Sequence, residues 1–222
     1  MSAPLASPNP AHPSWVPQPT YDLFYETFAP LWRHALRDVE TRQLLFERLA
    51  IGPGHHVLDV SCGRGETTVM IKVLEPNAHV YGLDLDPIDL ARAVGRSQEA
   101  GYACKFFRGP PTRMPFRSQS IDRVVSTFRM HTLARAQKLA MLRESFRVLY
   151  DEGSIHILDV GPQWTRRGRA LARLYNRDGR ADDNLAGEML RLLAQAGFQR
   201  PREVARVATV VGNLCVWEAF RT

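Results

Sequence analysis

Cysteine is scarce in these 222 residues. There are three, Cys62, Cys104 and Cys215, odd in number and far apart. That excludes a disulfide framework and every zinc-ligand spacing, so no metal is expected and the thiols fit a reduced, cytoplasmic setting. Residues 1–20 hold no Lys or Arg, which excludes an ordinary secretory leader. No apolar run approaches the roughly 20 residues that a membrane-spanning helix needs, so no transmembrane segment is expected. Internal repeats are missing too. What is present is a chain 45% hydrophobic, enough for one sizeable core, with a net charge of +6. That charge admits nucleic acid, anionic surfaces or acidic small molecules as partners without choosing among them.

Six prolines among Ser and Ala make residues 1–20 read as a disordered or extended, Pro-rich arm. Residues 21–36 place Tyr21, Phe24, Tyr25, Phe28, Leu31 and Trp32 at helical spacing, interrupted by Pro30, and a second helix is expected from about Val39 to Leu49. The stretch around which the chain is organised follows, HVLDVSCGRGETT over 56–68. Val57 to Val60 reads as a short buried strand, Gly63 and Gly65 as a turn, and Glu66 onward as a helix. A glycine turn lets the backbone approach a ligand, and a helix start offers unpaired N–H groups. Asp59 at the strand's end disfavours phosphate, and the third glycine of the dinucleotide fingerprint is missing. A nicotinamide-dependent oxidoreductase is therefore disfavoured, and a ligand carrying an ammonium group fits better.

Asp59-Val60-Ser61-Cys62-Gly63-Arg64-Gly65 resembles the first motif of the class I S-adenosylmethionine-dependent methyltransferases, with serine at the first glycine. Serine is compatible with that turn if its φ is negative. Further motifs follow in the family's order. Gly82-Leu83-Asp84 lies 25 residues beyond Asp59, Met114-Pro115-Phe116 precedes Ile121-Asp122-Arg123-Val124, and Glu144 with Arg147-Val148-Leu149 precedes Gly153. The resemblance covers residues 55–162. It is to the small-molecule enzymes of the ubiquinone and menaquinone biosynthesis type. It implies a doubly wound, Rossmann-like α/β fold with a seven-stranded sheet in the order 3-2-1-4-5-7-6, the last strand antiparallel, beneath an N-terminal helical cover. It also implies S-adenosylmethionine as cofactor, with S-adenosylhomocysteine as product.

On the same grounds Asp59, Ser61, Cys62, Gly63 and Gly65 cradle the cofactor. Asp84 accepts its ribose hydroxyls, Leu85 lies against adenine, Thr127 touches the methionine part, and Tyr25, with Tyr21, serves as a lid. Asp86, ahead of Pro87, reads instead as a helix cap. One departure matters. Where the family has a carboxylate and then an N–H for adenine, this chain has Pro110 and Pro111, which supply neither; Pro111 is left to stack. His131, just past the fourth strand, is the candidate base, against a purely structural histidine. His55 and His56, at the other end of the sheet, read as structural.

Beyond the core, residues 164–180 hold six arginines against one aspartate, either a solvated helix face or a surface for an anionic ligand. A helix from Leu185 to Ala196 and two strands, 203–211 and 213–220, close the chain. The organisation expected is an arm over 1–20 and a single domain over 21–222. Within it lie a cover (21–50), the core (55–162), variable substrate helices (163–200) and a C-terminal strand pair (201–222). The Asn/Asp-Pro-Pro-Tyr/Phe motif of nucleic-acid amino methylation is absent, Gly109-Pro110-Pro111-Thr112 being no substitute, so nucleic acid is not the expected substrate. The expected function is methyl transfer to a small, lipid-like or otherwise hydrophobic acceptor. The alternative is a degenerate methyltransferase fold acting as a binding or regulatory module, motivated by Ser61, Pro110 and Pro111.

Overall fold

Apolar residues on both faces of short strands demand helices on both sides of a parallel sheet. The computed structural model, which describes residues 38–163, 170, 176, 178–209 and 212–222, has that arrangement. Helix α1 (Asp38–Leu49) leads into β1 (His56–Val60), α2 (Glu66–Leu74), β2 (His79–Asp84), α3 (Pro87–Glu99) and β3 (Lys105–Arg108). A loop without a helix leads to β4 (Ile121–Thr127) and a 3-10 turn (Met130–Thr132). Then come α4 (Arg135–Val148), β5 (Leu149–Val160), α5 (Asp182–Leu185), α6 (Met189–Gln195), β6 (Gln199–Thr209) and β7 (Gly212–Phe220). The seven strands lie in the order β3-β2-β1-β4-β5-β7-β6, with β7 antiparallel to both neighbours. The expected order is therefore the observed one. The arm 1–20, the segment 21–36 with Tyr21 and Tyr25, and most of the arginine-rich segment lie outside the described residues.

Alternation along the strands builds two cores. Val57, Val80, Val125, Leu158 and Val216 meet Leu45 and Leu49 of α1 and Ile71 of α2 on one face. Leu58, Val124, Ile155, Ile157 and Trp217 meet Met141 and Leu142 of α4 and Leu192 of α6 on the other. Burial of such side chains contributes about 1.5–3 kcal/mol each before the cost of ordering them. Among the described residues no helix is long and apolar enough to cross a membrane, and no cluster of His, Cys, Asp and Glu could hold a metal.

The Glu144–Arg147 pair staples the long loop to α4. Glu144 accepts from the N–H of Met114 at 2.9 Å, and Arg147 donates to the carbonyls of Met114 and Phe116 at 3.2 and 2.9 Å. Its hydrogen bond from Arg147 holds the Glu144 carboxyl below its usual range. The two motifs are thus halves of one contact. At the end of α4, Arg221 donates to the carbonyls of Phe146, Arg147 and Leu149, satisfying groups a helix leaves without partners.

The single helix expected from Leu185 to Ala196 is instead two. Gly187 takes φ +79°, a left-handed turn between α5 and α6, while buried Asn184 is drawn to the carbonyl of Val160 at 3.1 Å. The final strands are longer than expected, beginning at Gln199 and Gly212.

Gly65 opens α2 with φ +76°, and a Cβ there would stand 2.8 Å from the Cβ of Ala93 on α3. Gly65→Ala combines backbone strain with overpacking, so it is expected to lower stability by about 2–4 kcal/mol. Urea unfolding measures the change, and a loss below about 0.5 kcal/mol would show that the turn is not tightly set.

Candidate active site

The tips of β2, β1, β4 and β5 form one crevice, where the strand order turns outward from β1 in one direction and from β4 in the other. Crevices at such switch points are where open α/β sheets bind ligands. The turn after β1 is held by Cys62 N–H donating to the carbonyl of Leu83 at 3.0 Å and Gly65 N–H donating to that of Cys62 at 2.9 Å. Gly63 takes φ +52°, and nothing lies within 4 Å of where its Cβ would be. Ser61 takes φ +61°. The expectation of a negative φ is corrected: this position requires the left-handed region, serine occupies it, and such a residue costs on the order of 1–3 kcal/mol. Phe128, at the tip of the adjacent β4, is also left-handed at φ +54°.

Asp84 ends β2 and braces the turn. One oxygen accepts from Gly63 N–H at 2.8 Å, the other from Leu85 and Asp86 N–H at 2.7 and 3.0 Å. A carboxylate has about four acceptor positions, so capacity remains for a hydroxyl. Leu85 beside it is exposed. Asp86 caps α3 by accepting from Ile88 N–H at 2.8 Å. The proline loop is tied to the same place, since Gly109 N–H donates to the carbonyl of Asp84 at 2.9 Å. Pro111 is buried and Pro110 exposed.

Asp59 is fully buried. It accepts from Thr68 Oγ1 at 2.7 Å with one oxygen, while the other has no partner among the described residues. Burial pushes its pKa up to about 6. Cys62 packs against Gly82, and burial pushes its thiol well above the usual range, so it is no nucleophile.

His131 stands on the 3-10 turn after β4, half-buried, with Nδ1 2.6 Å from Oδ1 of fully buried Asp159 on β5. Burial disfavours its charged form, but the charge and hydrogen bond of Asp159 outweigh that, and its pKa is raised. Holding the proton on Nδ1 leaves Nε2 as the acceptor of a neutral ring. Buried Lys138 of α4 fixes the wall opposite, donating to the carbonyl of Arg180 at 2.6 Å and pairing with Asp183 at 3.2 Å.

The structure thus brings Ser61, Gly63, Asp84 and Leu85 together on one side of the crevice and His131 with Asp159 on the other. Thr127 lies between, its Oγ1 3.1 Å from that of Thr67. Tyr25 lies outside the described residues. Sequence reasoning missed three participants. Asp159 is the orienting partner of His131, and Arg42, buried on α1, pins that helix over the crevice by donating to Thr67 and pairing with Glu66 at 3.5 Å. Arg129 is the third. A lone arginine on a helix, or an aspartate inside a strand, carries no sequence signal. His56, read as structural, hydrogen-bonds Tyr81 at 2.9 Å; an open cavity of about 370 Å³ beside it lies at the starts of β1, β3 and β4, away from the crevice.

A family model for a methyltransferase domain matches residues 57–153, which hold the turn, Asp84 and His131. Over this core the chain is similar to methyltransferases. It is 31% identical over 122 residues to a demethylmenaquinone methyltransferase of Lactobacillus johnsonii, covering 54% of this chain and 49% of that one. It is 34% identical over 118 residues to an uncharacterized methyltransferase of Synechocystis sp., covering 53% of each. The chain spans about half the length of these curated relatives. Among solved structures, the S-adenosylmethionine-dependent methyltransferase SibL in its apo form superposes with a TM-score of 0.69 at 22% identity, over 93% of this chain and 60% of that one. A methyltransferase-like protein of Bacillus halodurans superposes at 0.64 and 17% identity, over 83% and 100%. These two show the fold.

The raised pKa of Asp59 has a consequence for the stability of this core. Between its ordinary 3.8 and about 6 the folded state binds more protons than the unfolded one, so this group's contribution to stability falls as pH rises through that window. Asp59→Asn removes the buried charge and keeps an acceptor for Thr68. It is expected to raise stability at neutral pH by about 1–3 kcal/mol, with the gain vanishing near pH 4. Urea unfolding at the two pH values measures this, and a variant less stable than the parent at neutral pH would contradict it.

Proposed function

We propose that this chain transfers a methyl group from S-adenosylmethionine to a small, hydrophobic acceptor that must lose a proton, a quinone-like ring being the class suggested by the named relatives. One observation carries the reading. A braced glycine turn and an oriented His–Asp pair face each other across the same crevice. The residues suit the cofactor. The open backbone at Gly63 gives a ligand close approach, the spare acceptor capacity of Asp84 suits ribose hydroxyls, and exposed Leu85 offers an apolar face to adenine. The unpartnered oxygen of buried Asp59 favours a cation nearby, as the ammonium and sulfonium groups require. Pro110 and Pro111 give adenine no carboxylate and no N–H, so recognition there rests on packing against Pro111.

Bound S-adenosylmethionine supplies a methyl group on a sulfonium centre. The protein's part is to hold the partners in line and to exclude water, which α1, pinned by Arg42, supports. His131 takes the acceptor's proton at Nε2, and Asp159 stabilises the imidazolium that results. His131→Gln is expected to lower kcat by about a hundredfold or more while leaving cofactor affinity unchanged.

Calorimetric titration with S-adenosylhomocysteine, beside NAD, tests the reading. Micromolar binding of the former and none of NAD is expected. Asp84→Asn, which keeps an acceptor for the turn, is expected to weaken that binding about tenfold or more. Absence of binding by the folded protein would overturn methyl transfer in favour of a non-catalytic binding module, and unchanged affinity in the variant would remove Asp84 from the ribose site.

A further inference from the structure

Arg129 lies two residues beyond β4, between Thr127 and His131. Its Nε is buried and has no hydrogen-bond partner among the described residues. Two other arginines also have a buried nitrogen without a partner, Arg96 and Arg206. Each of those is ion-paired through another nitrogen, to Glu66 at 3.4 Å and to Glu203 at 2.6 Å. Arg129 has no such pair among the described residues. Asp84 at the tip of β2 and Asp159 on β5 act on it from a distance, Arg180 adds a like charge, and burial lowers its pKa. An arginine stays protonated under such a shift, because its ordinary pKa is above 12. A guanidinium thus stands in the crevice between the two carboxylate-bearing strand tips with hydrogen-bond donors to spare. Burying such a group without a partner is costly, and an anionic ligand would offset the cost.

Two anions could answer. One is the carboxylate of the cofactor's methionine part, the other an ionised group of the acceptor. The neighbours favour the second. His131 is two residues away, with Nε2 free to receive a proton, and Arg180 adds a further cation, anchored to the same turn by donating to the carbonyl of Thr132 at 3.3 Å. Of these basic groups His131 is paired with Asp159 and Arg180 with Asp178 at 2.9 Å, which leaves Arg129 as the one with no ion pair among the described residues. On the cofactor side the charges are Asp59 and Asp84, and Arg42, already engaged with Thr67 and Glu66.

We propose that Arg129 holds an acidic hydroxyl of the acceptor, of the phenol or enol class, as its anion, and so selects ionisable over neutral acceptors. This rests on the methyl-transfer reading above. In the binding step the O–H bond breaks, its electron pair stays on oxygen opposite Arg129, and the proton goes to Nε2 of His131. The guanidinium favours the anion and the histidine–aspartate pair takes up the proton.

The test uses 4-nitrophenol, whose anion has its own visible absorption band, with 4-nitroanisole as its neutral counterpart. Spectra are taken with and without S-adenosylhomocysteine. The full-length protein is expected to lower the apparent pKa of bound 4-nitrophenol by about one unit. Arg129→Gln should remove that shift and weaken nitrophenolate binding about tenfold, and Arg129→Lys should restore part of both. Binding of 4-nitroanisole and of S-adenosylhomocysteine should be the same in all three proteins, the latter also reporting that the variants fold. No shift with the parent protein, or an equal shift with Arg129→Gln, overturns the proposal. So does a variant that loses S-adenosylhomocysteine affinity and keeps the phenolate shift, which would assign Arg129 to the methionine carboxylate. Failure of the parent protein to bind S-adenosylhomocysteine overturns the methyl-transfer reading separately, because the phenolate shift is read in its absence as well.

Discussion

The carboxylate of Asp84 is the contact on which the crevice depends. It accepts N–H groups from Gly63, Leu85 and Asp86, binding the glycine turn after β1 to the tip of β2. Each such bond to an ionised acceptor contributes more than a neutral one, and together they fix a backbone that could otherwise take several conformations. The same residue's carbonyl accepts from Gly109, so the proline loop is tied to it as well. Three segments distant in sequence are brought to one point by one residue.

Around that point several groups at the strand tips are strained or lack a partner, as do some elsewhere, such as Ser126 and His156. Ser61 and Phe128 hold left-handed backbones on adjacent strands, Asp59 keeps an oxygen without a partner, and Arg129 a nitrogen. Buried polar atoms in folded proteins are normally bonded, so the unpartnered atoms of Asp59 and Arg129 are the ones at the crevice with capacity for a ligand. The aromatic cavity beside His56 is a contrast. It is concave and apolar, but its His–Tyr hydrogen bond is made, and it lies at the opposite ends of the strands.

The fold was legible because several motifs recur in the order of the methyltransferase family, and that resemblance implied the strand order observed. Val57 to Val60, Asp84 before its cap Asp86, and the Glu144–Arg147 pair each read correctly as local patterns. The placement of candidate site residues was legible where it follows from position on a strand tip, since Asp84 and His131 do lie at the crevice. It was illegible where function depends on a long-range meeting. Asp159 looks like any residue of an apolar strand, and its value lies in a 2.6 Å contact with a turn 28 residues earlier. The same holds for Arg42, whose partners begin 24 residues later. The φ of Ser61 was misjudged because serine's size was weighed and the turn's handedness was not. The helix around Gly187 was misjudged because its apolar spacing continues through a left-handed break.

The charges of the crevice are unevenly distributed. Asp59 and Asp84 lie toward β1 and β2, while Arg129, His131 and Arg180 lie toward β4 and β5, where Asp159 pairs with His131 and Asp178 with Arg180. A cationic donor on the first side and an anionic acceptor on the second would each meet the opposite charge from the protein. Transfer of a methyl group from one to the other cancels both ligand charges, and a transition state that is losing charge is favoured by a dry, low-dielectric setting over water. Too strong an attraction on either side would instead stabilise the separated charges and slow the transfer, since only interactions that strengthen toward the transition state help. That gives a physical reason for Asp59 to act from full burial through Thr68, and for Asp84 to spend three of its acceptor positions on backbone. The carboxylates set a field, and most of the direct bonding capacity of Asp84 is already used.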